Sequence, residues 1–362
     1  MANFVHLHLH TEWSLFDGII RIDDLFLKAK EFGYEAVAIT DHASLFGLIY
    51  FYKKAISLGI KPILGCEIFV SNENIDKNTV YHLVLLCENN IGYKNLLKLC
   101  TEAYLKSSGK KPIVNKELLY RFNEGLIALS GCLYGEIPSA ILRGKLDKAR
   151  HIAKEYAQIF SGRFYLEVQE NGLVEQKIIN DGLLKLAEEL NIPLVATNDC
   201  HYLLPEDAYA QKIKVCMRSD KTFSKKENSN CFTDKLYFAP PDEMIGRFSW
   251  CREAIENTLR IADRCNVKLE LNAPIYLKFS QKHNYEEIFE KKLWENFEKR
   301  LSELKNFGDF SAPEKEYRKR LEYEAEIIKK IGLCEYFIIS AEIVNWAKAE
   351  GILKILMGSS NR

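Results

Sequence analysis

No run of apolar residues in this 362-residue chain approaches the length of a membrane span, and Met1 leads directly into a polar-flanked strand pattern. The expectation is therefore neither a transmembrane helix nor a signal peptide. An excess of charge of one sign is also missing, since Lys+Arg and Asp+Glu each number 50. A balanced chain does not cling to nucleic acid through bulk charge, so a polyanion would have to be met by a local patch. Ten cysteines are present, yet no two stand in a CxxC pair. Scattered along the chain, with Cys87, Cys100 and Cys265 in apolar runs, they read as small reduced core residues, and the expected compartment is the cytosol. Internal repeats and low-complexity tracts are absent as well. What remains is a chain 47% hydrophobic, long enough for one large domain and a smaller second one.

Seven short apolar runs have the length and punctuation of strands: residues 4–10, 36–40, 62–70, 82–88, 126–132, 163–169 and 193–199. Helical patterns separate most of them, and two of these end at Gly33 and Gly59, in the place of helix C-caps. Strands alternating with helices predict a largely parallel α/β sheet, and seven of them close most economically into a barrel. Residues 71–81 are too short for a helix, which predicts one antiparallel or irregular pair there. Beyond residue 205 the rhythm changes. Residues 221–230 read as a polar loop, "KLYFAP" as a short edge strand and 251–267 as an amphipathic helix. A connector over 268–284 precedes a helical pattern from 285 to 350. The expected domains are 1–267, the connector 268–284, and 285–362.

"FVHLHLHTEWSLFDG" (4–18) sets His6, His8 and His10 in alternation with Val5, Leu7 and Leu9. On a strand this places the imidazoles on one face. Other polar residues that metals favour interrupt strands near their ends. "TDH" carries Asp41 and His42, "GCE" carries Glu67, His82 heads the fourth run, Cys132 closes the fifth, and "NDCH" supplies Asp199 and His201. A parallel barrel gathers the C-terminal ends of its strands at one mouth, so residues far apart in sequence become neighbours there. Mixed imidazole and carboxylate donors suit Zn²⁺, Mn²⁺ or Fe rather than Ca²⁺. Any one of these histidines taken alone reads as a hydrogen-bonded core or surface residue. Six of the eight histidines, however, lie at or beside strand termini, with His151 and His283 the evident exceptions. His6 is expected to support a ligand from behind, and Asp41, next to His42, to orient an imidazole. Cys132 reads equally as a soft ligand or a small core residue. His82 lies at the wrong end of its strand for a simple barrel, which leaves an irregular pairing or a role other than ligation.

The wording "HLHLHTEWSLFDG", "AITDHASLFGLIYFYKKA", "GIKPILGCEIFV", "LIALSGCLYGEIP" and "VATNDCHYL" resembles the PHP (polymerase and histidinol phosphatase) domain. More specifically it is similar to the version that opens the bacterial C-family replicative DNA polymerases, the DNA polymerase III alpha family. The resemblance runs nearly end to end, since "EYFIISAEIVNWAKAEGI" (335–352) is similar to the segment that begins the polymerase palm. It implies a distorted (β/α)7 PHP barrel followed by a mainly helical segment leading into an incomplete palm. It also implies a ligand set of His8, His10, Asp17, His42, Glu67, His82, Cys132, Asp199 and His201, and so favours ligation for His82 and Cys132. Two or three divalent ions are then expected (Zn, Mn or Fe, with Mg possible), with Glu67 and Asp199 as bridging carboxylates. Glu67, Asp199 and His10 are the residues expected at the reacting centre.

On this resemblance the chemistry is metal-dependent phosphodiester hydrolysis, a 3′–5′ exonuclease acting on the 3′ end of a DNA primer. Implied partners are the other replicative subunits, namely a proofreading subunit and, through parts outside this chain, the sliding clamp. No membrane is involved. The departure lies at the end, where the family continues into a "GPGRGS"-like loop and the polymerase carboxylates. This chain reads "GILKILMGSSNR" instead. The 362 residues are thus not expected to hold a nucleotidyl-transfer site, and Lys354 and Arg362 take no role. Two other readings are a small-molecule phosphatase of the histidinol-phosphate kind and a metal-stabilised module that docks a proofreading subunit.

Overall fold

A computed structural model describes residues 3–15, 17–71, 79–107, 111–218, 233–271, 284–307 and 313–352. The predicted loop 221–230, residues 272–283 of the predicted connector with His283, and the terminal segment with Lys354 and Arg362 lie outside them. The chain divides into two compact units, Met1–Leu269 and Glu270–Arg362.

Among the described residues the first unit carries seven strands: β1 (Ala36–Ile39), β2 (Lys61–Ser71), β3 (Val80–Cys87), β4 (Ile113–Asn115), β5 (Leu126–Leu129), β6 (Phe164–Gln169) and β7 (Leu194–Thr197). They form one sheet in the order β1-β2-β3-β5-β6-β7, with β4 paired to β2. The pairings are parallel except those of β3, which runs antiparallel to both β2 and β5. The irregular pair predicted near 71–81 is the β2–β3 pair. β4 was not foreseen, because three residues give no periodic signal. "KLYFAP" makes a single bridge, Tyr202 to Tyr237, rather than a strand.

Strand periodicity sorts the core into two layers. Val37, Ile39, Leu64, Cys66, Leu85 and Val168 belong to the large cluster beneath the surrounding helices. Ala36, Ala38, Ile63, Val84, Leu86, Ile127, Leu129, Tyr165 and Val195 form a second cluster inside the curl. Ile261 and Ala262 of the helix Arg252–Arg264, and Cys265 just past its end, join this inner cluster and plug it. Continuing the inward parity of Ile63, Val84, Tyr165 and Val195 along their strands brings Glu67, His82, Glu167 and Thr197 to the same interior.

Residues 4–10 close the barrel without becoming a ladder strand. Ala38 donates to the His6 carbonyl and Thr40 to that of Leu9, while His10 and Cys200 exchange bonds across the other side through the carbonyls of Cys200 and His8. The predicted alternation slips at a bend on His8. Before it, Val5 and Leu7 join the inner cluster; after it, Leu9 joins the outer one. His8 and His10 therefore turn inward while His6 turns out.

In the second unit the helices Tyr285–Phe307, Glu314–Lys330 and Cys334–Ala349 meet around a small cluster of Phe289, Ala325, Cys334 and Ile338. No helix among the described residues is long and apolar enough to cross a membrane.

Candidate metal centre

The barrel interior above the apolar plug is polar. Glu67, fully buried on β2, stands at its middle. One carboxylate oxygen, Oε1, lies 3.5 Å from His8 Nε2 and 3.0 Å from His82 Nδ1. The other, Oε2, lies 3.5 Å from His10 Nε2 and 2.6 Å from His42 Nδ1. Asp199 Oδ1 is 3.2 Å from both His8 Nε2 and His10 Nε2. At the outer lip, Asp17 reaches His42 Nε2 at 3.1 Å and faces His201 Nε2 at 3.9 Å. Cys132 Sγ sits 3.8 Å from both Glu67 Oε1 and His82 Nδ1. All nine residues singled out in the sequence thus meet in one cluster.

Chain direction explains His82. Because β3 runs antiparallel, its first residues lie at the same mouth as the last residues of β2, and His82 pairs with Phe69 in register. The loop after β5 then packs on the start of β3, with His82 N donating to the Tyr134 carbonyl at 3.1 Å. Gly131 permits this approach. Its φ is +83°, and a Cβ there would stand 2.6 Å from the His82 carbonyl oxygen. Asp199 itself has a φ of 49°, in the left-handed region that non-glycine residues seldom occupy.

Several imidazoles are held from behind, which fixes the nitrogen they offer. Glu167 Oε1 accepts from His8 Nδ1 at 2.6 Å, Ser14 Oγ lies 3.0 Å from His10 Nδ1, and the Asp199 carbonyl accepts from His201 Nδ1 at 2.8 Å. Ser14 donates its own proton to Asp41 Oδ1 at 2.9 Å, so at His10 the hydroxyl is left as acceptor. With Nδ1–H committed, the lone pair of each ring sits on Nε2 and points into the cluster. Glu167 is in turn fixed by Thr197 Oγ1 and Gln169 Nε2. The residue-by-residue reading missed Glu167 and Ser14. The available signal was one charged residue in the otherwise uncharged strand-like run "FYLEVQ" (164–169).

Of the two supporting roles, one holds and one is corrected. Asp41 accepts from Thr11 N, Thr11 Oγ1 and Ser14 Oγ, so the imidazole it orients, through Ser14, is that of His10. His6 touches no candidate ligand directly. Its Nε2 bonds the Ala239 carbonyl at 2.9 Å, Cys200 Sγ lies 3.3 Å from Nδ1, and Phe4, Tyr34 and Phe238 pack on the ring. Burial pushes His6 down to about 4, so the ring is a neutral core group.

Burial also dominates at His10, and with the charges of His42 and His201 it pushes that ring down to about 3. At Glu67 burial opposes ionisation, but His82, His42 and His8 outweigh it and hold the carboxyl well below its usual range. At His42 burial again opposes charge, yet Glu67 and Asp17 raise it to about 10. Asp17 is held low against burial by His42, His201 and His10, and Asp199 by His8, His201 and His10. The carboxylates are thus ionised in a nearly dry hole, and protons on rings stand where cations would balance them.

The donor set fits divalent ions. Three groups of ligand atoms lie within 4.8 Å of one another: His10, His42 and His201; His8, His10 and Glu67; His42, Glu67 and His82. Buried Asp17 Oδ1, His42 Nδ1, Glu67 Oε2 and Asp199 Oδ1 find no hydrogen-bond partner among the described residues. Glu67 Oε2 and His42 Nδ1 stand 2.6 Å apart in poor hydrogen-bond geometry, and once the ring proton is displaced both offer lone pairs that a shared cation would satisfy.

Residues 6–171 match the PHP domain family, and residues 287–360 match the family described as the bacterial DNA polymerase III alpha NTPase domain. The DNA polymerase III subunit alpha of Aquifex aeolicus is 38% identical over 97% of this chain, and that of Treponema pallidum 36% identical over 97%. The chain spans about a third of the length of these relatives, 32% and 30%. A solved two-domain protein from Bacteroides vulgatus, described as containing a predicted PHP-like metal-dependent phosphoesterase, covers 75% of this chain and 72% of its own, at 13% identity and a TM-score of 0.35.

Proposed function

We propose, from the premise that this chain carries a PHP domain and is related along nearly its whole length to DNA polymerase III alpha subunits, that its barrel is a metal-dependent phosphodiesterase within a replicative DNA polymerase. The reaction is 3′–5′ hydrolysis at the primer end of DNA, in the cytoplasm, beside the other subunits of the replicative complex. The single observation that carries this reading is the set of orphaned lone pairs of Asp17, Glu67 and Asp199 facing five imidazoles.

Two or three divalent ions (Zn, Mn or Fe, with Mg an alternative) would draw charge from a phosphodiester and acidify a water near neutral pH. The chain's own residues prepare the site for that. Glu67, which offers its two oxygens toward different imidazoles, and Asp199, which faces both His8 and His10, would hold the ions. His8, His10 and His201 present preset Nε2 lone pairs, while Glu167 and the Ser14–Asp41 pair prevent those rings from turning. Cys132 and His82 complete the set beside Glu67, and Asp17 with His42 the outer lip. Water is excluded from below by the plug of Ile261 and Ala262.

The domains proposed are a barrel over 1–267, the connector 268–284 and a helical segment 285–362 leading toward a palm. That second segment favours a polymerase setting over a free-standing small-molecule phosphatase, because residues 287–360 match a polymerase alpha family. The test is incubation of the purified chain with a 3′-labelled primer and Mn²⁺ or Zn²⁺, beside a His8→Ala/His10→Ala variant. Labelled nucleotide released by the parent chain and not by the variant supports the reading. Equal release from both, or from neither, overturns it.

A further inference from the structure

The loops that carry the candidate ligands also carry exposed rings. Trp13 lies between His10 and Asp17, Phe46 follows His42 by four residues, and Tyr134 follows Cys132 by two. They are 38%, 66% and 54% exposed, beside a site whose other side chains are buried or only partly exposed. Two of these rings are seated. The Trp13 indole lies against Gly47, where a Cβ would stand 2.4 Å from the ring. Tyr134 packs on His82, with ring centroids 5.4 Å apart. The His42 and His82 rings stand 5.3 Å apart. Cations stand close by: Lys214 Nζ bonds the Gly18 carbonyl next to Asp17, and Lys111 Nζ sits 4.9 Å over the Phe69 ring, itself packed on His42 and His82.

We propose that Trp13, Phe46 and Tyr134 form a nucleobase-stacking rim that seats the unpaired 3′-terminal nucleotides of a DNA strand whose phosphate enters the centre. This rests on the hydrolase reading above. A phosphate held by the buried cluster leaves its attached bases at the lip, and there the protein offers flat apolar faces. Stacking on such faces is sequence-tolerant, because every base has a π-face. It also demands that the base leave its own neighbours, so a frayed end is admitted ahead of a paired one. The adjacent lysines complement the backbone charge.

The test measures binding apart from turnover. A short single strand, labelled at its 5′ end and closed at its 3′ end by a phosphorothioate linkage, is titrated with Mn²⁺-loaded protein and followed by fluorescence anisotropy. A second strand carries abasic terminal nucleotides. Replacing Tyr134 or Trp13 with Leu is expected to weaken binding of the normal strand on the order of tenfold. The same substitutions should leave the abasic strand unaffected, and Tyr120→Leu, on the exposed face of the helix Lys116–Phe122, should change neither. Equal losses on both strands would mean that the rings only hold the loops in place, and no loss on either would mean that they serve another surface such as a protein partner; each overturns the proposal. If the parent chain neither binds nor cuts the strand, the hydrolase reading itself fails, which is a different result from binding that ignores the rings.

Discussion

Glu67 and Glu136 are buried in the same barrel, and their surroundings differ in kind. Glu136 opens the helix Glu136–Leu142 and is 4% exposed. Lys116 Nζ approaches it at 3.2 Å, Tyr156 donates to Oε2 at 3.0 Å, and Lys116 also pairs with Glu155 and lies over the Tyr156 ring. Each demand there is met inside the network, which is how a buried ion pair persists as structure. Glu67 is paired differently. It faces imidazoles and a thiol, and one of its oxygens is left without a hydrogen bond. A closed network is complete by itself; an open one is built around something it does not contain.

The largest expected effect separates these two. Glu67→Gln should reduce phosphodiesterase turnover on the order of a thousandfold or more and lower the bound metal, because a bridging anion becomes a neutral amide. Glu136→Gln should leave metal content and turnover per folded molecule near those of the parent chain. Its own cost is to stability, about 3 kcal/mol by chemical denaturation, since Lys116 loses a buried partner. If Glu136→Gln abolished metal binding while Glu67→Gln did not, the contrast would be reversed.

Chelation should come next. Ligands that bind only the native state stabilise it, by about 2.7 kcal/mol at a hundredfold excess over Kd. Exhaustive chelation should therefore lower the melting temperature of the parent chain and leave the His8→Ala/His10→Ala variant unmoved. An unchanged melt in both would count against a filled site. Glu167→Gln is a smaller perturbation, because it loosens the tether on His8 without removing a ligand. Mn²⁺ affinity should drop roughly 10–100-fold by titration calorimetry. Last, loading should be weaker at pH 6 than at pH 8, since imidazole must be neutral to coordinate and protons compete. Identical affinity at both values would argue that the histidines stand outside the coordination.

How much of this was legible depended on what kind of signal each residue leaves. "HLH", "TDH", "GCE" and "NDCH" put polar side chains in otherwise apolar strands, and strand parity does bring Glu67 and His82 to one interior. The same parity failed for His6. A bend at His8 reverses the alternation, and nothing in the local pattern of "FVHLHLH" marks a bend. Ser14 and Thr11 were illegible because a hydroxyl that turns an imidazole through a carboxylate has no spacing of its own. Asp41 was noticed beside His42, but adjacency in sequence proved a poor guide to which ring it serves. β4 and the bridge at Tyr237 are too short to leave a period. The antiparallel β3, by contrast, was announced by the lack of room for a crossover helix between residues 71 and 81. That direction also accounts for His82 at the mouth.

The most direct measurement is the metal content of the purified, Mn²⁺-saturated chain after desalting, read by elemental analysis beside Glu67→Gln. Two or three equivalents in the parent chain and a clear loss in the variant are the result expected here. A chain that emerges metal-free under every loading condition, or a variant that keeps the full complement, would contradict it.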